Sequence, residues 1–272
     1  MHNSIWMYEI ILVIFGLSLV AYVLDFWKKN WHIKQSAYWL LCLAWVMQTA
    51  VLVYEVIQSK SLPILTLIDV IYVYAWVLLT FSLLMNRFFH VQFVAFCTNV
   101  FSFIMLSLAV GLDVQQQGLN QSAHFIHEIL VAHITFTILA YAFFTLSFFL
   151  SIMYLFQYWL LRKKKGFPWI WRITDLKQLD AYSFTAISIG VPLLSVGLFL
   201  GFVWAYTSGS EFYWMDMKTM GSMILLGIYM VYLMLRLTQG YRGKPISLFN
   251  TATFLVLLVN FFLFSVLSNF HF

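Results

Sequence analysis

Charge is what this chain has least of. Only 9% of its 272 residues are Asp, Glu, Lys or Arg, where a soluble domain carries about a quarter. Hydrophobic residues make up 63%, more apolar surface than a water-soluble core can hide. A soluble protein is therefore excluded and an integral membrane protein expected. Cysteine is nearly absent as well. Cys42 and Cys97 lie inside apolar segments and form no CxxC pair, which argues against thiol redox chemistry and against a disulfide framework. There is no P-loop, no dinucleotide fingerprint and no Ser/His/Asp or Cys/His arrangement, so no enzymatic activity is expected. The short alternating segments of a membrane β-barrel are missing, and no internal repeat is evident. Glu9 precedes the first apolar run and no small-residue cleavage site follows it, so no signal peptide is expected. The formal charge of +5 sits in short loops between apolar runs, so no nucleic acid partner is expected.

What remains is long apolar runs, aromatics and a biased set of cations. A spanning helix needs about 20 apolar residues, and lipid forces every backbone hydrogen bond to close inside its own segment. The runs predict an all-α membrane protein of eight transmembrane helices near 5–26, 36–58, 65–86, 89–111, 128–160, 182–206, 219–236 and 247–270. The chain reads as a single membrane domain, 1–272. Placing residues 27–35 in the cytoplasm puts 13 basic residues on that side, among them Arg87, Arg162, Lys163 and Arg236, and leaves Lys60 and Lys218 outside. That asymmetry predicts both termini on the outer side. The cytoplasmic run RKKKGFPWIWR at 162–172 either sets topology or holds the anionic headgroups of membrane lipids.

Two groups of residues invite chemistry. The stretch Gly201–Lys218, GFVWAYTSGSEFYWMDMK, joins two apolar runs at the outer face. It is either an aromatic belt anchoring two helices or an apolar shelf for a flat ligand. The second group is histidine. His124, with Glu128 four residues on, shares a helical face with it, yet a metal site there needs further ligands. His133 stands about one turn inside the fifth helix, where an ionisable group is costly without a partner or ligand. His271 closes the eighth helix on the same side. Two imidazoles at similar depth are either unrelated interfacial residues or an axial pair for haem iron. Scattered Gln48, Asn99 and Asn260 form no relay, which disfavours a transporter.

The residues from about 120 to 272 resemble the cytochrome c assembly family of haem-handling membrane proteins. The resemblance runs through VAHITFTILAYAFFTLSFFLSIMYL around His133, LKQLDAYSFTAISIGVPLLSVGLFLGFVWAY, the turn GYRGK, and NFFLFSVLSNFHF with His271. Those proteins carry an outer tryptophan-rich loop, the WWD domain, between flanking histidines. The resemblance implies haem b as cofactor, with His133 and His271 as iron ligands and Trp204, Tyr206, Trp214 and Asp216 at the ligand. The loop at 204–218 departs from the family pattern: Gly209, Tyr213, Met215 and Met220 stand where the family keeps tryptophans, and Met234 where it keeps a further histidine. PILTLIDVIYVYAWVLLTFSLLMNRFF at 63–89 extends the likeness to members found with haem-biosynthesis genes in Gram-positive bacteria. For those the resemblance implies a membrane role in limiting glutamyl-tRNA reductase, a possible cytoplasmic partner. The alternative it implies is a cytochrome c synthase component that presents haem to apocytochrome on the outer face.

Overall fold

The structure is a computed structural model that describes residues 2–28, 31–59, 67–88, 92–116, 128–163, 175–207 and 217–267. Eight helices account for nearly all of them: α1 (His2–Lys28), α2 (Trp31–Ser59), α3 (Leu67–Phe88), α4 (Gln92–Gln116), α5 (Glu128–Arg162), α6 (Leu176–Thr207), α7 (Met217–Thr238) and α8 (Lys244–Leu267). All eight are long and apolar enough to cross a membrane. Helix number and order agree with the apolar runs, and the two largest differences in where a helix starts are at α2 and α6. α2 begins at Trp31 and α6 at Leu176, each several residues before the apolar window opens. Polar residues such as Lys34, Gln35, Lys177 and Gln178 carry those first turns. Hydropathy finds the lipid boundary, whereas the helix continues past it. Asp175 starts α6, its carbonyl accepting from the amides of Gln178 and Leu179 at 2.9 and 3.0 Å.

The chain divides into two compact units, Met1–Phe125 and Ile126–Phe272. In the first, α1 packs on α2 and α4, and α3 packs on α2 and α4. Hydroxyls reach across these contacts to backbone carbonyls. Ser18 Oγ donates to Ala37 O at 2.8 Å, Ser82 Oγ to Ala95 O at 3.2 Å, and Ser102 Oγ to Ala75 O at 2.7 Å. The α2–α3 contact is a reciprocal clasp. Trp45 Nε1 donates to Thr80 Oγ1 at 2.8 Å, Trp76 Nε1 to Thr49 Oγ1 at 2.9 Å, and the two indoles stack at 6.3 Å. At the far end of α2, Tyr8 OH donates to the Glu55 carboxylate.

The second unit is built on α5 and α6. Ser183, Gly190, Gly197 and Gly201 recur along the buried face of α6, and α5 lies against them. A Cβ on Gly190 would come within 2.6 Å of the Phe144 ring, and one on Gly197 within 2.8 Å of Thr137 Oγ1. Glycine is required here because the helices approach too closely for a side chain, the usual means of joining helices in lipid. Pro192 lies on the exposed side of α6, away from that seam. Two buried polar clusters tie in the other helices. Asn250 Nδ2 donates to Ser147 and Ser151 Oγ, each at 2.8 Å, and Ser183 Oγ joins both serines. Asn260 Nδ2 donates to Tyr141 OH at 3.0 Å and to Ser222 Oγ at 3.1 Å. At one end, Arg236 grips Asp180 with both nitrogens at 3.0 and 2.6 Å. The amide of Gly243 donates to the same carboxylate at 3.2 Å. Gly243 has φ of +75°, a left-handed conformation that glycine adopts without steric cost.

Candidate functional site

His133 is set into the α5–α6 seam at the end of the unit opposite Asp180. The Nδ1–Cε1 edge of its imidazole packs against the GLFLG stretch of α6, Gly197 to Gly201. A Cβ at Gly201 would stand 2.7 Å from both Cε1 and Nδ1 of the ring. Nδ1 is 2.5 Å from the carbonyl oxygen of Gly197. A carbonyl only accepts, so this contact makes Nδ1 the protonated nitrogen and leaves the lone pair on Nε2. Histidine ligands of metals are commonly held this way: the second-shell acceptor fixes the tautomer and makes the ligating nitrogen more basic. The residue as a whole is partly exposed.

The surroundings come from three helices. Trp204 follows Gly201 by three residues and stands on the same side of α6; it is half-buried. Lys218, in the first turn of α7, is near enough to act electrostatically on the imidazole. The antiparallel register of α5 and α8, fixed by Tyr141 with Asn260 and by Phe148 stacked on Phe254 at 4.2 Å, carries the end of α8 to within about one helical turn of His133 in height.

The sequence-predicted site residues fare unequally. His133 and Trp204 are brought onto adjoining faces of α5 and α6. Tyr206 is 90% exposed and lies on the other side of α6 from the seam. Trp214, Asp216 and His271 lie outside the described residues, as do His124 and the polar loop around it. Met234 is 60% exposed on α7, turned away from the buried core of its unit. Among the described residues, no three His, Cys, Asp or Glu side chains form a metal-binding group. A single protein imidazole with an oriented second nitrogen is nevertheless the donor that haem iron takes. Sequence reasoning missed Gly197 and Gly201, whose GxxxG spacing was the available signal. It also missed Asp180 and Arg236, whose charges near the ends of apolar runs are a common sign of pairing.

A family model for cytochrome c assembly protein matches residues 64–271. The chain belongs to the cytochrome c assembly protein family. The match runs from just before α3 to residue 271 and so covers His133, the seam glycines Gly190, Gly197 and Gly201, and Lys218. Along nearly its whole length the chain is similar to Protein HemX of Bacillus subtilis (strain 168), 42% identical over 96% of this chain and 94% of the relative. It is 30% identical to Protein HemX of Brevibacillus brevis, over 98% and 97% of the two chains. A shorter likeness, 32% identity over 47% of this chain and 35% of the relative, links it to the cytochrome c biogenesis protein CcsA of Chlamydomonas reinhardtii. Family, relatives and the eight apolar helices together make it a multi-pass bacterial membrane protein with a haem-related role.

Proposed function

We propose that the protein binds haem b at the His133 end of its second unit and responds to it as a regulator rather than an enzyme. The observation that carries this reading is the imidazole itself. Its Nδ1 proton is committed to Gly197 O, which orients Nε2 as an iron donor. A ring so placed on a glycine seam is held on one side by backbone, with little freedom to turn. His271, four residues beyond the end of α8, is the proposed second ligand, consistent with the height to which α8 carries the chain. Trp204, Trp214 and Asp216 would complete the surroundings, and bound iron would supply the spectroscopic change that reports occupancy. Both termini are proposed to lie outside.

The regulated process in this reading is the supply of haem, through the amount of glutamyl-tRNA reductase. Its support is the resemblance to family members encoded with haem-biosynthesis genes, together with the full-length similarity to the two HemX proteins. Contact with a soluble enzyme would use the cytoplasmic segment 161–181. A second reading, a cytochrome c synthase component presenting haem outside, is favoured by the family model and by the relatives named for cytochrome c biogenesis. The replaced tryptophans of 204–218 weigh against it.

The deciding experiment is an absorption spectrum of the purified protein. A low-spin haem spectrum is expected, altered or lost in His133→Ala and in His271→Ala. An unchanged spectrum in the double variant would exclude the site. Reductase abundance in a deletion strain then separates the two readings: it rises under the first and is unchanged under the second, where c-type cytochromes are lost instead.

A further inference from the structure

The interior of the first unit contains two amide side chains with no hydrogen-bond partner among the described residues. Gln48 on α2 and Asn99 on α4 are both fully buried. Neither the oxygen nor the nitrogen of either side chain has a hydrogen-bond partner among the described residues. The two helices are not packed closely on one another. Each packs on α1 and on α3, so α2 and α4 face one another diagonally across the core.

Register places the amides in one layer. Trp45 opposite Thr80 and Thr49 opposite Trp76 set Gln48 opposite Val77. Ser82 beside Ala95 and Ser102 beside Ala75 set Asn99 opposite Leu78. The two amides thus differ in height by one residue, about 1.5 Å along a helix axis. Packing alone does not ask for an amide here. The clasp is formed by two copies of a six-residue stretch, AWVMQT at 44–49 and AWVLLT at 75–80, a repeat too short to stand out in the sequence. In the second copy the place of Gln48 is taken by Leu79, fully buried and apolar.

A buried amide with no partner costs about 1–3 kcal/mol. Two in one layer, with a side chain of similar size accepted at the equivalent place, point to a ligand that satisfies both. Each amide offers an NH2 donor and a carbonyl acceptor, and neither carries charge. The complementary ligand is neutral, small, and both donor and acceptor. We propose that Gln48 and Asn99 hold bound water at the centre of the first unit. Two molecules suffice, each accepting from the NH2 of one amide and donating to the carbonyl of the other. Buried waters make about three hydrogen bonds apiece. Ala44, one turn before Gln48, and Ala75 are small and fully buried in the same region.

The test uses the full chain in lipid nanodiscs with nitrogen-15 in the side-chain amides of Gln and Asn. The NH2 signals of Gln48 and Asn99, assigned by their loss in Gln48→Leu and Asn99→Leu, should show magnetisation transfer from water. Absence of transfer to both amides, or a direct coupling between the two amide groups, overturns the proposal in favour of an empty layer or a directly bonded pair. A second reading comes from unfolding midpoints with a thiol-reactive dye. Both cysteines of the chain, Cys42 and Cys97, lie on α2 and α4, the helices that carry the amides. Each single Leu variant leaves one amide behind and should melt lower than wild type. The double variant removes both amides with the water and should melt above either single. A double variant that melts below both singles overturns the shared site.

Discussion

The α2–α3 and α5–α6 contacts join helices by opposite means. In the first, two indoles and two threonines reach out from their helices and meet between them, each tryptophan donating to a threonine of the other helix. In the second, side chains are removed from one helix altogether, and rings of α5 lie on the bare backbone of α6. The first contact is made by groups with rotamers to adjust. The second has almost no give, because a backbone cannot rotate out of the way. A ligand donor that must hold one orientation is better served by the second, and His133 is found there, hydrogen-bonded to main chain. The clasp instead lies beside the buried amides of the first unit, where the helices are held by specific polar bonds that leave those amides without a partner among the described residues.

That contrast can be broken most severely at Gly190. Phe144 is pressed between it and the stacked ring of Tyr229, 3.9 Å away, so the phenyl group has nowhere to move. Gly190→Leu should cost about 3 kcal/mol, the upper range for overpacking a core, read as a lower thermal unfolding midpoint by circular dichroism. A midpoint within error of wild type would mean that the seam yields and that the contrast is wrong.

Gly201→Ala is a smaller insult with a more specific readout. The new methyl group would meet the His133 ring at 2.7 Å, so the ring must shift and its bond to Gly197 O must lengthen. Stability should fall by about 1–2 kcal/mol, and haem affinity should fall with it. Equal haem affinity in the Gly201→Ala protein would show that ring placement on the seam does not set ligation.

The clasp should respond less than the seam. Trp45→Phe keeps an aromatic ring against Trp76 and deletes one indole donor, so about 1 kcal/mol should be lost. Trp76→Phe should match it, since the two bonds are related by the repeat. The thiol-dye midpoint measures both, and a difference of more than twofold between them would show that the clasp is not reciprocal in energy.

Much of the fold was legible because hydropathy is local. Eight apolar runs became eight helices, with the largest errors in helix starts where polar residues such as Lys34 or Lys177 continued a helix beyond the lipid boundary. His133 was legible for the same reason, an ionisable group inside an apolar run. Its bond to Gly197 spans 64 residues and depends on which face α6 turns to α5, which no run of hydropathy shows. GLFLG carried that information in its spacing. Tyr206 was placed at the ligand by the family resemblance, which matches residues along the chain; that it stands 90% exposed, about 200° around the helix from Trp204, is a matter of helical rotation that a linear match does not show. Gln48 and Asn99 were visible as polar residues in apolar segments. That they share a layer emerged only from the pairing of three helices.

The grip of Arg236 and Gly243 on Asp180 has a consequence in time. The carboxylate belongs to α6, while its guanidinium partner lies 56 residues later in the chain and its amide partner 63. At about 5–20 residues per second of synthesis, Asp180 emerges with its helix roughly 3–11 s before Arg236 has been made. Through that interval the nascent chain carries an anion whose permanent counter-charge does not yet exist, so the ribosome-bound intermediate must keep that end of α6 in contact with water, headgroups or insertion machinery. Release into the finished bundle then waits on the last hairpin, and the turn at Gly243 becomes the step that closes assembly.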